Sequence, residues 1–460
     1  MDLQKIKKAH FIGVSGIGVS ALLRLFASRG IVVSGTDLAL PDVGTLPAGE
    51  YHEGHDAEYV PSDADIVIYS PAAPESNIER MTARAMSIPE LSYPEALALI
   101  GSTHHTIAIS GTHGKSTTTA LMGKFFEAGG FDPLVIVGAE VPGWQKNLRL
   151  PEKESPEESG IFIVEACEYR RAMMNLSPQT IVLTNLELDH PDYYKDLADI
   201  KNAFREYIGK LSGEDLLVIN NDDANIRDIV QNFDGILVRY GVGEGADLIA
   251  RNIKATESGQ TFELIWKGTS LGVLATTLPG LYNIYNILAA TAVYLAYGGK
   301  SDLIPPILLK FEGIGRRFEV LGKLGNATII SDYAHHPTAL AAVTEATALR
   351  FPDKRILTIF RPHHRDRTLK LFDQFLAVVA NIPHMILVEI YDVPGREEGI
   401  TISSKDMIAK VLERNPNAHL SFASNLEEAE QIARTMENDF DVMLVVGAGD
   451  ADLLAKRLLK

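Results

Sequence analysis

Apolar and polar positions along this chain fall into a recurring unit. A short apolar run leads into a turn rich in glycine or histidine, and a segment with helical spacing follows. The unit stands out in "AHFIGVSGIGVSALLRLFASRG" (Ala9–Gly30), "HTIAISGTHGKSTTTALMGKFFEAGG" (His105–Gly130), "RILTIFRPHHRDRTLKLFDQFLAVV" (Arg355–Val379) and "DVMLVVGAGDADLLAKRLLK" (Asp441–Lys460). Strands that alternate with helices of this length predict βαβ units on mainly parallel sheets, an α/β fold class. Ligands of such sheets sit beyond the carboxyl ends of the strands, where these turns lie. The pattern resets near Gly101–His105, before the second unit, and near Phe311–Glu319, where "FEGIGRRFE" separates a helical region from new strands. Three domains are expected: 1–103, 104–312 and 313–460. "PEKESPEESG" (Pro151–Gly160) reads as an acidic surface loop inside the middle one.

Composition narrows the function. The formal charge of −17 argues against nucleic acid and anionic membranes, both of which want a basic face. A phosphate-bearing ligand must then be held by local amides, helix starts, a few Lys or Arg, and metal ions. With one cysteine, Cys167, no internal disulfide can form, which fits a reducing cytoplasm. No apolar run approaches the roughly 20 residues of a membrane span. Lys5, Lys7 and Lys8 precede an apolar run, but Gly13, Gly16 and Gly18 interrupt it, so a strand and turn are expected there and not a secretion signal.

The second unit carries the chemistry. The full phosphate-loop pattern is G-x-x-x-x-G-K-[ST], and its first glycine would fall at Ile109. The loop here is a shorter form, Gly111-Thr112-His113-Gly114-Lys115-Ser116, with Thr117 in the first turn of the helix beyond. Its physical role is unchanged: a strand delivers a tight turn whose amides face a phosphate, and the helix adds its positive end. Lys115 can reach the terminal phosphates of ATP and the Ser116 hydroxyl can ligate Mg2+. Downstream, "GIFIVEACEY" ends an apolar run in Glu165 and Glu168, and "TIVLTNLELDHPDYY" ends another in Asn185, Glu187, Asp189 and His190. A carboxylate at a strand end beside such a loop is where a nucleotide hydrolase places its metal ligand. Mg2+ prefers hard oxygens, so Glu165 is the better ligand and His190 the less usual one.

In order along the chain, "HFIGVSGIGVSALL", "GTHGKSTTT", "TNLELDHPDYY", "LPGLYNIYNILAA", "FEGIGRRFE", "SDYAHHPTAL", "PHHRDRT" and "VVGAGD" resemble the Mur ligases, ATP-dependent amide-forming enzymes of peptidoglycan synthesis. Within the family the alanine-adding branch is the nearest likeness. The resemblance implies an N-terminal Rossmann-like domain for the UDP-substrate, a central phosphate-loop ATPase domain and a C-terminal Rossmann-like domain for the amino acid. It implies the small-molecule substrates UDP-N-acetylmuramate, L-alanine and ATP with Mg2+ or Mn2+, in a cytoplasmic monomer or homodimer. ATP would phosphorylate the muramoyl carboxylate, and the amine would attack the acyl phosphate. By this likeness Lys115 and Ser116 hold ATP and its metal, Glu165 and His190 are further metal ligands, and Asn283 and Asn286 meet the adenine; the family usually has His where Tyr282 stands. Arg317 and Asp332 would reach ATP from the linker and third domain, while His335, His336, His363, Arg365 and Arg367 lie where amino acid and acyl phosphate meet. Gly16, Ile17 and Gly18, with Asp37 and Ser70, would line the UDP-sugar site; by itself, Asp37 after the second strand also fits a nicotinamide dinucleotide's ribose.

Two departures stand out. Where the alanine-adding branch reads Glu-Ala-Asp-Glu-Ser-Asp, this chain reads Glu165-Ala-Cys167-Glu168-Tyr169-Arg170, and its Glu-Tyr pair resembles the related ligase that reattaches a recycled murein tripeptide. The lysine that several Mur ligases carbamylate corresponds to the region of Phe204-Arg205, so no carbamylated lysine is expected.

Overall fold

The computed structural model describes residues 3–152, 160–256, 258–392 and 401–460; most of the acidic 151–160 stretch lies outside them. Among the described residues there are three sheets, each the centre of one α/β domain. The first contains β1 (Lys8–Ile12), β2 (Val32–Asp37), β3 (Gly49–Glu53), β4 (Ile66–Tyr69) and β5 (Glu90–Ser92), all parallel, in the order β3-β2-β1-β4-β5. The order reverses direction at β1, which opens a crevice between β1 and its neighbours at their carboxyl ends.

The second sheet contains β6 (His105–Ser110), β7 (Leu134–Ile136), β8 (Leu148–Arg149), β9 (Ile161–Glu165), β10 (Thr180–Leu183), β11 (Leu216–Asn220), β12 (Ile236–Gly241), β13 (Leu248–Thr256), β14 (Gly259–Trp266) and β15 (Thr269–Thr276). In space β6 lies between β10 and β9, parallel to both, so the turn after β6 is flanked by the ends of two other strands. The β13–β15 strands form an antiparallel meander at one edge, a departure from the mainly parallel expectation. Its second hairpin turns at Lys267-Gly268, both with positive φ, as two-residue hairpin loops require. The third sheet contains β16 (Glu319–Leu324), β17 (Ala327–Asp332), β18 (Ile356–Phe360), β19 (His384–Val388), β20 (His419–Ala423) and β21 (Val442–Val446), in the order β16-β17-β21-β18-β19-β20.

Burial explains how these parts hold together. The helix Lys115–Ala128 buries Leu121, Met122, Phe125 and Phe126 against the sheet and the helix Leu281–Ala296. Each such apolar side chain contributes about 1.5–3 kcal/mol when fully buried. A second apolar cluster runs from Phe11 and Phe26 in the first domain to Phe162, Phe204 and Tyr207 in the second, so those two domains share a core. Asn147 also donates to the Ile17 carbonyl at 3.0 Å across that boundary. Phe204 is buried, whereas Arg205 lies at the surface and pairs with Asp228 at 3.0 Å. Among the described residues, no helix is long and apolar enough to cross a membrane.

Candidate active site

The loop after β6 turns on two glycines. Gly111 has φ 130° and Gly114 φ 82°, backbone conformations that favour glycine. Space closes both positions as well: a Cβ on Gly114 would sit 2.2 Å from Asn286 Oδ1, and one on Gly111 2.2 Å from Thr184 Oγ1. Gly114→Ala should therefore cost about 1–3 kcal/mol in backbone strain alone and should displace the loop. A lowered unfolding midpoint together with weakened ATP binding checks this; unchanged ATP affinity would contradict it.

Side chains around the loop form a connected set. Lys115 folds back over its own turn, donating to the carbonyls of Gly111 at 2.6 Å and Thr112 at 3.0 Å, and pairs with buried Glu168 at 2.9 Å. Burial lowers the lysine's pKa, but the Glu168 carboxylate, helped by Cys167 and Glu165, outweighs it and the net shift is upward. Ser116 donates to Glu165 at 2.8 Å, and the Gly138 amide donates to the same oxygen at 2.9 Å. This places two hard-oxygen donors side by side at the end of β9. His190, with φ 52°, lies against Tyr169 with ring centroids 4.6 Å apart at a 34° tilt, and approaches Glu168 at 3.6 Å. On the other flank, the His113 amide donates to Asn185 at 2.8 Å, and Thr112 Oγ1 accepts from the Glu187 amide at 3.0 Å.

A cavity of about 520 Å3 opens beside the loop. Its walls include Thr117, Asn283, Asn286 and Tyr282 from the central domain, Arg317 from the connecting segment, and Asp332 from the third domain. Asn286 donates to Asn283 at 3.1 Å, and Asn283 donates to the Pro279 carbonyl at 2.7 Å, which fixes both amides. Asp332 accepts from the amides of Phe318 and Ala334 at 2.8 and 2.7 Å, yet burial raises its carboxyl more than those bonds and Arg317 lower it. Polar residues at the end of β11 also line this cavity: Asn220, Asp223 and Asn225. Sequence reasoning passed them over, although the run "INNDDAN" at an apolar strand's end was the available signal.

The third domain closes on the segment after β10. Arg367 donates to Asp189 at 2.8 Å with both side chains almost fully buried, Lys370 donates to the Pro191 carbonyl at 2.7 Å, and Thr338 donates to Glu187 at 2.8 Å. Burial alone would raise the Asp189 carboxyl, but the Arg367 guanidinium beside it holds it well below the usual carboxylate range. His335 lies 6.1 Å from His363, which stacks on Tyr391. Arg365 is placed apart from Arg367: it turns to Asp392 at 2.5 Å, Glu389 at 3.5 Å and the Ile402 carbonyl.

Burial pushes His335 well below its ordinary 6.5, reinforced by Arg367, and lowers His336 as well, reinforced by His113. Both rings are therefore neutral in the fold and gain protons on unfolding in acid. The unfolded chain then binds more protons, so their contribution to stability is complete above about pH 6.5 and declines as pH falls below it. Depressed Asp189 adds a further loss below about pH 4. A urea midpoint that is level above neutrality and drops between about pH 6.5 and 5 is expected. His335→Asn should shrink the drop, and a midpoint flat across that window would contradict the assignment.

In the first domain Gly16, Ile17 and Gly18 start the helix Ile17–Ser28 at the end of β1, and Asp37 ends β2, where it accepts from the Ser15 amide at 2.8 Å. Ser70 follows β4, and a Cβ on Gly13 would sit 2.8 Å from the Ser70 Cβ. These residues share the crevice at the strand-order reversal. Beneath it lies a network that sequence reasoning missed: buried Glu79 meets His10 at 2.7 Å, His55 at 2.6 Å and Thr36 at 2.9 Å.

Residues 8–105 match the Mur ligase family catalytic domain, 109–294 the Mur ligase middle domain, and 316–449 the Mur ligase glutamate ligase domain. The chain belongs to the Mur ligase family. Among its relatives is the UDP-N-acetylmuramate–L-alanine ligase of Clostridium tetani, 35% identical, with 97% of each chain covered. That of Alkaliphilus metalliredigens is 32% identical over 100% of this chain and 98% of its own. In fold, the chain is similar to the UDP-N-acetylmuramate–alanine ligase of Thermotoga maritima, with TM-score 0.82, 24% identity and 98% of each chain covered. It is also similar to a murein peptide ligase of Psychrobacter arcticus, with TM-score 0.73, 20% identity and 98% of each chain covered.

Proposed function

We propose that this chain is an ATP-dependent ligase that joins L-alanine to the carboxylate of UDP-N-acetylmuramate through an acyl phosphate. The observation that carries the reading is a juxtaposition. The Asp189–Arg367 pair ties the third domain to the segment after β10, and His336 of that domain lies 5.1 Å, ring to ring, from His113 in the loop that carries Lys115. The chemistry needs that arrangement. A carboxylate is a poor electrophile at neutral pH, so phosphorylation must supply a leaving group, and the amine must then reach the activated carbon.

The residues fit the parts. The UDP-sugar end lies along Gly16–Gly18, Asp37 and Ser70, and the adenine meets Asn283 and Asn286, with Arg317 and Asp332 at the far wall. Lys115 leaves the Gly111 and Thr112 carbonyls to contact the terminal phosphates, with Glu168 holding it poised. Ser116 and Glu165 are hard-oxygen donors 2.8 Å apart, a set suited to Mg2+, with His190 as a further ligand. Such an ion would neutralise charge on the transferring phosphoryl group. Arg367 and His363 would face the amino acid, and His336, whose Nδ1 accepts from the Thr338 amide at 3.3 Å, would take a proton at that atom from the ammonium group. The setting proposed is cytoplasmic.

Phosphate release should require ATP, Mg2+, UDP-N-acetylmuramate and L-alanine together. Release that does not depend on L-alanine contradicts the reading. Turnover with L-Ala-γ-D-Glu-diaminopimelate instead of alanine would assign the chain to tripeptide reattachment, the alternative raised by the Glu168-Tyr169 pair.

A further inference from the structure

We propose that His113, Glu187 and His336 form a separate metal site, one that takes a transition ion such as Zn2+ in preference to Mg2+ and pins the third domain to the phosphate loop. The three come from different parts of the chain: the loop after β6, the segment after β10, and the start of the helix Pro337–Arg350. Their ligand atoms all lie within 4.8 Å of one another. They share no residue with Ser116, Glu165 and His190: His190 follows β10 as Glu187 does, but its ring turns to Tyr169 and Glu168 beyond β9, whereas Glu187 meets His113 and His336.

The neighbours orient all three donors. Thr338 donates to Glu187 Oε2 at 2.8 Å, which leaves Oε1 facing both imidazoles, 2.6 Å from His113 Nε2 and 3.8 Å from His336 Nδ1. His113 Nε2 is shut off from solvent, and its approach to Glu187 lacks the geometry of a hydrogen bond. His336 Nε2 faces the Leu188 carbonyl at 3.2 Å, so the ring proton resides there and the lone pair is on Nδ1, which accepts from the Thr338 amide at 3.3 Å. A histidine that donates its other N–H to a backbone carbonyl is the usual arrangement around a bound metal. The two rings lie 5.1 Å apart at 51°.

The donor chemistry selects the ion. Two imidazoles and one carboxylate suit Zn2+ or Co2+ with a fourth position open, whereas Mg2+ wants oxygens throughout. Tetrahedral bonds of about 2.0–2.1 Å would set the donors on the order of 3.3 Å apart. That spacing falls between the observed 2.6 and 3.8 Å, so small side-chain shifts suffice. An ion here would occupy the His336 lone pair assigned above to proton transfer, which makes it a lock on the closed arrangement and not a cofactor. The binding test is independent of that assignment.

Full-length chain stripped with chelator should be titrated with Co2+ in excess Mg2+. One Co2+ per chain is expected, with the visible absorption of a low-coordinate site, displaced by Zn2+. Glu187→Gln and His113→Ala should each weaken Co2+ binding more than about tenfold, while Glu165→Gln leaves it unchanged. The proposal is overturned if the wild-type chain gives no such band, if the band survives both Glu187→Gln and His113→Ala, or if it is lost on Glu165→Gln.

Discussion

Lys115→Ala should lower phosphate release by at least about a thousandfold while UDP-N-acetylmuramate still binds. In the proposed reading the first domain holds that substrate in its own crevice, so its affinity, measured by calorimetry, should stay within about threefold of wild type. The same change leaves buried Glu168 without its lysine, and losing one partner of a buried ion pair costs about 3–5 kcal/mol. Lys115→Ala with Glu168→Ala removes both charges. The double variant should recover much of the lost stability and none of the turnover. Recovered turnover would mean that the lysine serves the fold and not the phosphoryl group, and lost UDP-substrate affinity with ATP chemistry preserved would mean that the domain roles are reversed.

Asp189→Ala should be the most damaging change at the domain boundary. It strands the Arg367 guanidinium in a nearly closed interface, at a cost of about 3–5 kcal/mol. Because the pair joins the third domain to the segment carrying His190, the loss falls on domain docking. Turnover should drop at least about a hundredfold, with ATP affinity of the central domain little changed. Arg367→Lys keeps the charge but loses the planar fork, so it should restore only part of the stability and little of the rate. If Asp189→Ala lowers the unfolding midpoint but leaves turnover intact, the pair is structural and the amino-acid site lies elsewhere.

The sequence was most readable where local backbone physics is strict. The phosphate loop could be placed because its glycines must take positive φ, a lysine must follow, and an apolar strand must precede it. Glu165, Asp189 and His190 stand out as candidates because they follow apolar runs, a signal that survives without a structure. The meander of β13–β15 was not read, since its turn at Lys267-Gly268 is a short cue and its alternation is interrupted by bulges. The Glu79 network was invisible for a different reason. His10, Thr36, His55 and Glu79 are distant in sequence, and they meet only because β1 and β2 pair in parallel while the turn after β3 and the helix Ile78–Ala85 bring in His55 and Glu79. The two arginines of "PHHRDRT" show the same limit: standing two residues apart on a helix, they point to different sides, Arg367 into the interface and Arg365 toward Asp392.

The central claim is that the loop of Lys115 hands the terminal phosphoryl group of ATP to the carboxylate of the UDP-sugar acid. Supplying UDP-N-acetylmuramate with heavy oxygen in that carboxylate, together with ATP, Mg2+ and L-alanine, tests it by mass spectrometry of the released phosphate. One heavy oxygen per phosphate is the expected result, because the acyl phosphate bridge carries it away; phosphate free of the label, formed alongside the amide product, would contradict the account.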